Sequence, residues 1–170
     1  MTSHLVTITE PSYRLLAMVP SGHGAGYAVI ETPLFPIDWG VKSRIAGPPR
    51  KRLPVLIRIL EWYRPDVLLV EDIDERICRR GRATRRMVRQ LHQAAEARGI
   101  AVRPVARRAV WEHFKFDRRP TKVDVAHAVA QRLPELQSRL PPVRKLWMSE
   151  AHVMPMFDAF SLILTAARIE

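Results

Sequence analysis

The chain has 170 residues, the length of one domain with a sizeable core. Its 28 Lys and Arg against 17 Asp and Glu leave a formal charge of +11. The excess is nearly all arginine, whose planar donor fork suits phosphate and makes nucleic acid the leading partner class. One cysteine, Cys78, excludes a disulfide framework and a Cys-based zinc site. No apolar run nears the roughly 20 residues that span a bilayer, so a cytosolic chain with no membrane role is expected.

Residues 1–12 are polar and read as a flexible lead-in; 13–170 read as a single domain. Leu15–Val19, Tyr27–Glu31 and Ile37–Lys42 are short apolar or alternating runs, parted by a glycine-spaced turn and by Thr32-Pro33-Leu34-Phe35-Pro36. That is the pattern of a β-meander. A basic loop, Gly47 to Arg52, leads into Leu53–Tyr63, where Leu53, Leu56, Ile57 and Leu60 fall at helical spacing. Arg64-Pro65-Asp66 ends that helix, and Val67–Val70 suits a strand buried on both faces. Thr84–Arg98 predicts a helix with Met87, Val88, Leu91, Ala94 and Ala95 inward, stopped by Gly99. Ile100–Val105 predicts a strand, Thr121–Leu133 a helix, Pro134–Pro142 a short helix and loop, and Phe157–Ile169 a final apolar helix. The order β-β-β-α-β-α-β-α-α implies an α/β domain of RNase H-like type, a five-stranded mixed sheet flanked by helices.

Two acids stand where chemistry is plausible. Glu71 closes the buried strand Val67–Val70, at the end where α/β sheets place ligands. As an oxygen donor it suits Mg²⁺; as a structural group it caps the strand or pairs with an arginine. Asp158 falls in the first turn of the last helix, where the helix dipole also favours a carboxylate as a simple cap. Asp124, three residues after Thr121, reads as half of a capping box. Lys122, at that exposed helix start, is placed to reach a backbone phosphate. Arg76, Arg79, Arg80, Arg82, Arg85, Arg86 and Arg89 form a run with no acid among them. Like charges at this density repel unless a polyanion is present, so they predict a phosphate-binding surface. Trp39, Trp62, Trp111 and Trp147 read first as core residues.

Together these segments resemble the RuvC-like Holliday-junction resolvase family, within the RNase H-like nucleases. LLAMVPSGHGAGYAVI resembles the family's opening hairpin, an apolar strand ending in Asp-Pro-Gly followed by a Gly-Tyr pair. RPDVLLVED resembles the strand that delivers a Glu, matching Glu71. VRPVARRAVWEHF and TKVDVAHAVAQRLP resemble the later strand and the Lys-bearing helix. FDAFSLILTA resembles the closing helix that supplies the last acid, matching Asp158. The resemblance implies a homodimer that acts on branched or double-stranded DNA, with two Mg²⁺ (or Mn²⁺) ions among four carboxylates.

The acidic pattern is incomplete. The family's first Asp falls on Val19 and its penultimate acid on Pro155. No Asp or Glu occurs from Pro11 to Ile30, so no shift of register in the hairpin supplies one. The expected metal ligands are therefore Glu71 and Asp158, with Asp38 and Glu150 as substitutes and Asp72, His152 and His23 behind them. The leading expectation is a DNA-binding protein with weak or lost cleavage, using Mg²⁺ (or Mn²⁺) only where it cleaves. One alternative is an active Mg²⁺-dependent junction endonuclease using Glu71, Asp158 and a substitute ligand. Another is a non-catalytic subunit that binds RNA or an acidic protein.

Overall fold

The computed structural model describes residues 12–22, 24–43, 49–142 and 149–168. His23 and Trp147 lie outside them. Five strands make one sheet: β1 (Arg14–Ser21), β2 (Gly24–Glu31), β3 (Phe35–Ser43), β4 (Val67–Glu71) and β5 (Ala101–Val105), in the order β3-β2-β1-β4-β5. β1 to β3 form the antiparallel meander, while β4 and β5 run parallel to β1. This is the mixed sheet expected from the sequence.

The apolar runs are continuous because both sheet faces are covered. Leu15, Ala17 and Val19 share a core with Ala28, Ile30 and Leu69 against α3 (Arg107–His113), α4 (Lys122–Arg132) and α5 (Met154–Ala167). Leu16, Met18, Tyr27, Val29, Leu68 and Val70 face α1 (Pro49–Tyr63) and α2 (Arg82–Glu96). Buried α5 is apolar nearly all round, as a central helix must be. α4 starts on the full capping box: Thr121 Oγ1 accepts from the Asp124 N–H, and Asp124 Oδ2 accepts from the Thr121 N–H. A 3-10 helix over Pro134–Arg139 follows α4.

Three differences from expectation, beyond small shifts at other element ends, bear on the site. α3 was not expected at all. It is seven residues long, too short for a periodicity to register, and its first N–H groups are satisfied from a distance: Glu75 accepts from the backbone of Arg107 at 2.7 Å and Arg108 at 3.2 Å. α1 begins at Pro49, ahead of the apolar repeat. α5 begins at Met154 with Pro155 in its first turn, a favoured place for proline. Asp158 is therefore one turn inside the helix and caps nothing.

Gly26 explains part of the hairpin's glycine spacing. It pairs with Val19 across β1 and β2. A Cβ there would lie 2.0 Å from the Pro155 carbonyl carbon and 2.4 Å from the Met156 nitrogen. Only glycine lets the start of α5 rest on β2.

Candidate functional site

The parallel pairing of β1 with β4 matches Ala17 to Leu69. Two residues further along the same face stand Val19 and Glu71. The start of α4 and the second turn of α5 close over them, giving a cleft of about 50 Å³ lined by Val19, Glu71, Arg80, Arg107, Trp111, Lys122 and Asp158. Glu71 and Asp158 thus do face one site.

The cations of that site are part of the chain. Glu71, 6% exposed, accepts from Arg80 Nε through Oε2 at 2.6 Å. Its Oε1 accepts from Arg107 Nη2 at 2.7 Å and Nε at 3.2 Å. Burial drives the Glu71 carboxyl upward, but the two guanidinium groups together hold it below its usual value. Each engages a different carboxylate oxygen. Arg107 opens α3, just past the end of β5, whose Val105 pairs with Glu71. Arg80 lies in the loop before α2, and Arg85 pins that loop by donating to the Arg80 and Cys78 carbonyls at 3.0 Å each.

Asp158 is held more loosely. Its Oδ2 is shut off from solvent without a hydrogen bond, 3.5 Å from Lys122 Nζ and 3.9 Å from Arg80 Nη2. Burial pushes this carboxyl up, against the pull of Lys122, Arg80 and Arg107. Lys122 is shared, with its ammonium 2.6 Å from Glu150. Arg80, Arg107 and Lys122 thus stand against Glu71 and Asp158 in the pocket and Glu150 at its edge.

The other predicted ligands do not join this pair. Asp38 lies on the opposite face of the sheet, where Tyr27 and Tyr63 both donate to its Oδ2. The reason is strand parity: Trp39 faces the α5 side, so Asp38 faces α1. Burial and the Asp38 charge raise both phenols, Tyr63 to about 12. Glu150 approaches only through Lys122 and lines an adjoining groove with Thr121 and Met154. Asp72 turns away to accept from the Asp74 N–H at 3.0 Å, and exposed His152 does not line the cleft. Among the described residues no group of three or more His, Cys, Asp or Glu could hold a metal ion.

Magnesium needs near-octahedral oxygen coordination. Here Val19 and Pro155 offer no carboxylate, both Glu71 oxygens are engaged by guanidinium groups, and Asp158 resists ionisation. The described residues do not fit a magnesium site.

The arginine run divides by role. Arg80 faces the pocket acids, Arg85 bonds the backbone of its own loop, and half-buried Lys122 meets Asp158 and Glu150. For Arg80 the cause is acids outside the run: Glu71 and Asp158 supply the counter-charge that the run itself lacks. Arg89 meets Asp74 at 3.4 Å in a widely exposed pair, an interaction of little strength. Arg76, Arg79, Arg82 and Arg86 are exposed. Arg82, Arg86 and Arg89 share one stripe of α2, opposite its buried Met87, Val88, Leu91 and Ala95. Sequence reasoning passed over the roles of Arg107 and Glu75. A signal existed for Arg107, since a residue just past β5 neighbours the end of the adjacent parallel strand.

No family model matches this chain, and no curated protein does. Among solved structures, the fold matches RuvC of T. thermophilus in complex with Holliday junction substrate, with TM-score 0.63 and 17% identity over 91% of this chain and 92% of that one. It also matches a Thermus thermophilus RuvC structure, with TM-score 0.61 and 17% identity over 91% and 93% of the two chains. The fold is RuvC-like. Within that RuvC-like frame, the meander, the Glu71 strand and α5 occur in the order expected of an RNase H-like sheet. No described helix is long and apolar enough to cross a membrane.

Proposed function

We propose that this chain binds branched or double-stranded DNA through the arginine stripe of α2 and does not cut it by metal-ion chemistry. The observation that carries the second half is the occupation of both Glu71 oxygens by Arg80 and Arg107. The first half is supported by the exposed Arg79, Arg82 and Arg86, which form no ion pair among the described residues, and by a RuvC of the same fold that holds Holliday junction substrate. Phosphate contacts of this kind supply affinity with little sequence preference. The ion-paired pocket serves as a buried structural core beneath the binding face. A four-way junction is two-fold symmetric, so two copies per junction is the stoichiometry this reading expects.

A labelled four-way junction titrated with Mg²⁺ or Mn²⁺ is expected to stay intact on a denaturing gel while fluorescence anisotropy records its binding. Metal-dependent nicking that disappears in Glu71→Gln would overturn the reading. Heparin competition with no preference among DNA shapes would instead favour a general polyanion-binding subunit.

The α2 stripe has its own test. Replacing Arg82 and Arg86 together by alanine is expected to lower the slope of log affinity against log salt by about 1.8, from roughly 0.9 per lost phosphate contact. Circular dichroism should show an unchanged fold, since both side chains are exposed.

A further inference from the structure

The cleft has a second cationic bank. We infer that Arg118 and Arg119, in the loop between α3 and α4, form a second phosphate-contacting wall, so that bound DNA lies across the cleft between this loop and the α2 stripe. The inference rests on the DNA-binding reading above and extends it to the loop before α4.

Placement comes first. Arg80, Trp111, Pro120 and Lys122 all line the cleft. Arg79 and Arg82 flank the Arg80 side, while Arg119 directly precedes Pro120 and Arg118 precedes Arg119. Both arginines are exposed. The loop before α2 and the loop before α4 therefore both border one cleft, each with exposed arginines next to its lining residues.

Charge is the second argument. Lys115, Arg118 and Arg119 outnumber Asp117 in this loop. The nearest other acids have other tasks: Asp124 closes the capping box of α4, and Glu112 pairs with Arg108 at 3.1 Å. The Thr121 hydrogen bonds chiefly hold the Asp124 carboxyl low and nearby Arg118 adds a smaller pull, but Arg118 forms no ion pair among the described residues. The cations of the pocket floor, by contrast, are already engaged by acids: Arg80 and Arg107 by Glu71, and Lys122 by Glu150 and Asp158. An anion is attracted to the rims rather than the floor.

Preorganisation is the third. The Arg119 guanidinium lies over the Trp111 ring, with Cζ 5.7 Å from its centroid. Such a contact uses the π-face of the ring and consumes none of the five N–H donors. An arginine already placed by an aromatic loses less conformational freedom when it meets a phosphate.

The test compares three proteins on a fluorescent four-way junction: wild type, Arg118→Ala with Arg119→Ala, and a charge-matched control, Arg64→Ala with Arg98→Ala. Arg64 and Arg98 line a groove beside Pro65 and Gly99, at the end of the sheet where β4 begins. The cleft variant is expected to lose about 1.8 from the salt slope, from roughly 0.9 per contact. Between 50 and 200 mM salt, wild type should then lose about tenfold more affinity than the variant. The control should keep the wild-type slope. An unchanged slope in the cleft variant, or an equal fall in the control, would overturn the inference. If Arg82→Ala with Arg86→Ala weakens binding while the loop variant does not, this inference alone falls. If wild type binds no DNA, both readings fall together.

Discussion

Replacing Glu71 by alanine is expected to lower the stability of the protein by about 3–5 kcal/mol, the usual consequence of leaving buried charges without their partner. Glu71 is the shared anion of Arg80 and Arg107, bonded at 2.6 and 2.7 Å with little solvent access. Its removal strands two guanidinium groups in a pocket whose remaining acid, Asp158, has no hydrogen bond from Arg80 at 3.9 Å. For a chain of this length the loss corresponds to a fall in Tm of roughly 10 °C. The sign is what discriminates. In a cluster of carboxylates awaiting metal ions, deleting one acid relieves repulsion and stabilises the metal-free protein. Here it removes an attraction. Thermal unfolding in the absence of divalent ions reads the difference, and a raised Tm for Glu71→Ala would refute the arginine-filled pocket.

The pH dependence carries the same sign. The folded-state Glu71 carboxyl lies below its usual value, so its stabilisation is complete above the ordinary Glu range near about 4.3 and is lost as pH falls through the lowered value. Asp158 works the other way: raised by burial, it contributes most when protonated and less as pH rises. Glu71→Ala should therefore remove part of the acid limb of the stability curve while leaving the opposing Asp158 limb in place.

Gly26→Ala is expected to cost about 3 kcal/mol or more, at the upper end of single-residue effects. The added methyl would stand 2.0–2.4 Å from the backbone of Pro155 and Met156, and backbone cannot swing aside as a flexible side chain does. Relief requires α5 to lift from β2, which opens the core around Phe157 and Phe160, both almost fully buried. Chemical denaturation should show a lower midpoint, and an unchanged midpoint would mean that α5 does not seat on this glycine. No φ argument is involved; the requirement is purely one of space.

Most of the architecture was legible along the chain because it rests on local pattern. Val67–Val70 is apolar on every residue, and only a strand covered on both faces uses such a run. Thr121 and Asp124 announce the start of α4 by a bond pattern three residues long. α3 was not legible, because its N–H groups are satisfied by Glu75, more than thirty residues earlier. The site was half legible. That Glu71 and Asp158 converge follows from the resemblance; that Asp38 does not join them follows from which face of β3 it occupies, and the bulge between Val29 and Ile30 puts that register beyond sequence patterning.

The sequence by itself determined the α/β class, the strand and helix order, the surplus of arginine and the absence of an acid at Val19, since each is a property of composition or short-range spacing. Only the tertiary structure decided what the arginines do. Arg80 and Arg107 lie 27 positions apart in the chain yet meet on one carboxylate, because parallel β4 and β5 bring Glu71 beside Val105 and the loop before α2 folds back over both. Coulomb attraction in a buried pocket depends on distances that the fold sets and no sequence spacing encodes. That is why, of seven arginines that read as one surface, Arg80 becomes a counter-ion of Glu71 while Arg82, Arg86 and Arg89 form an exposed stripe.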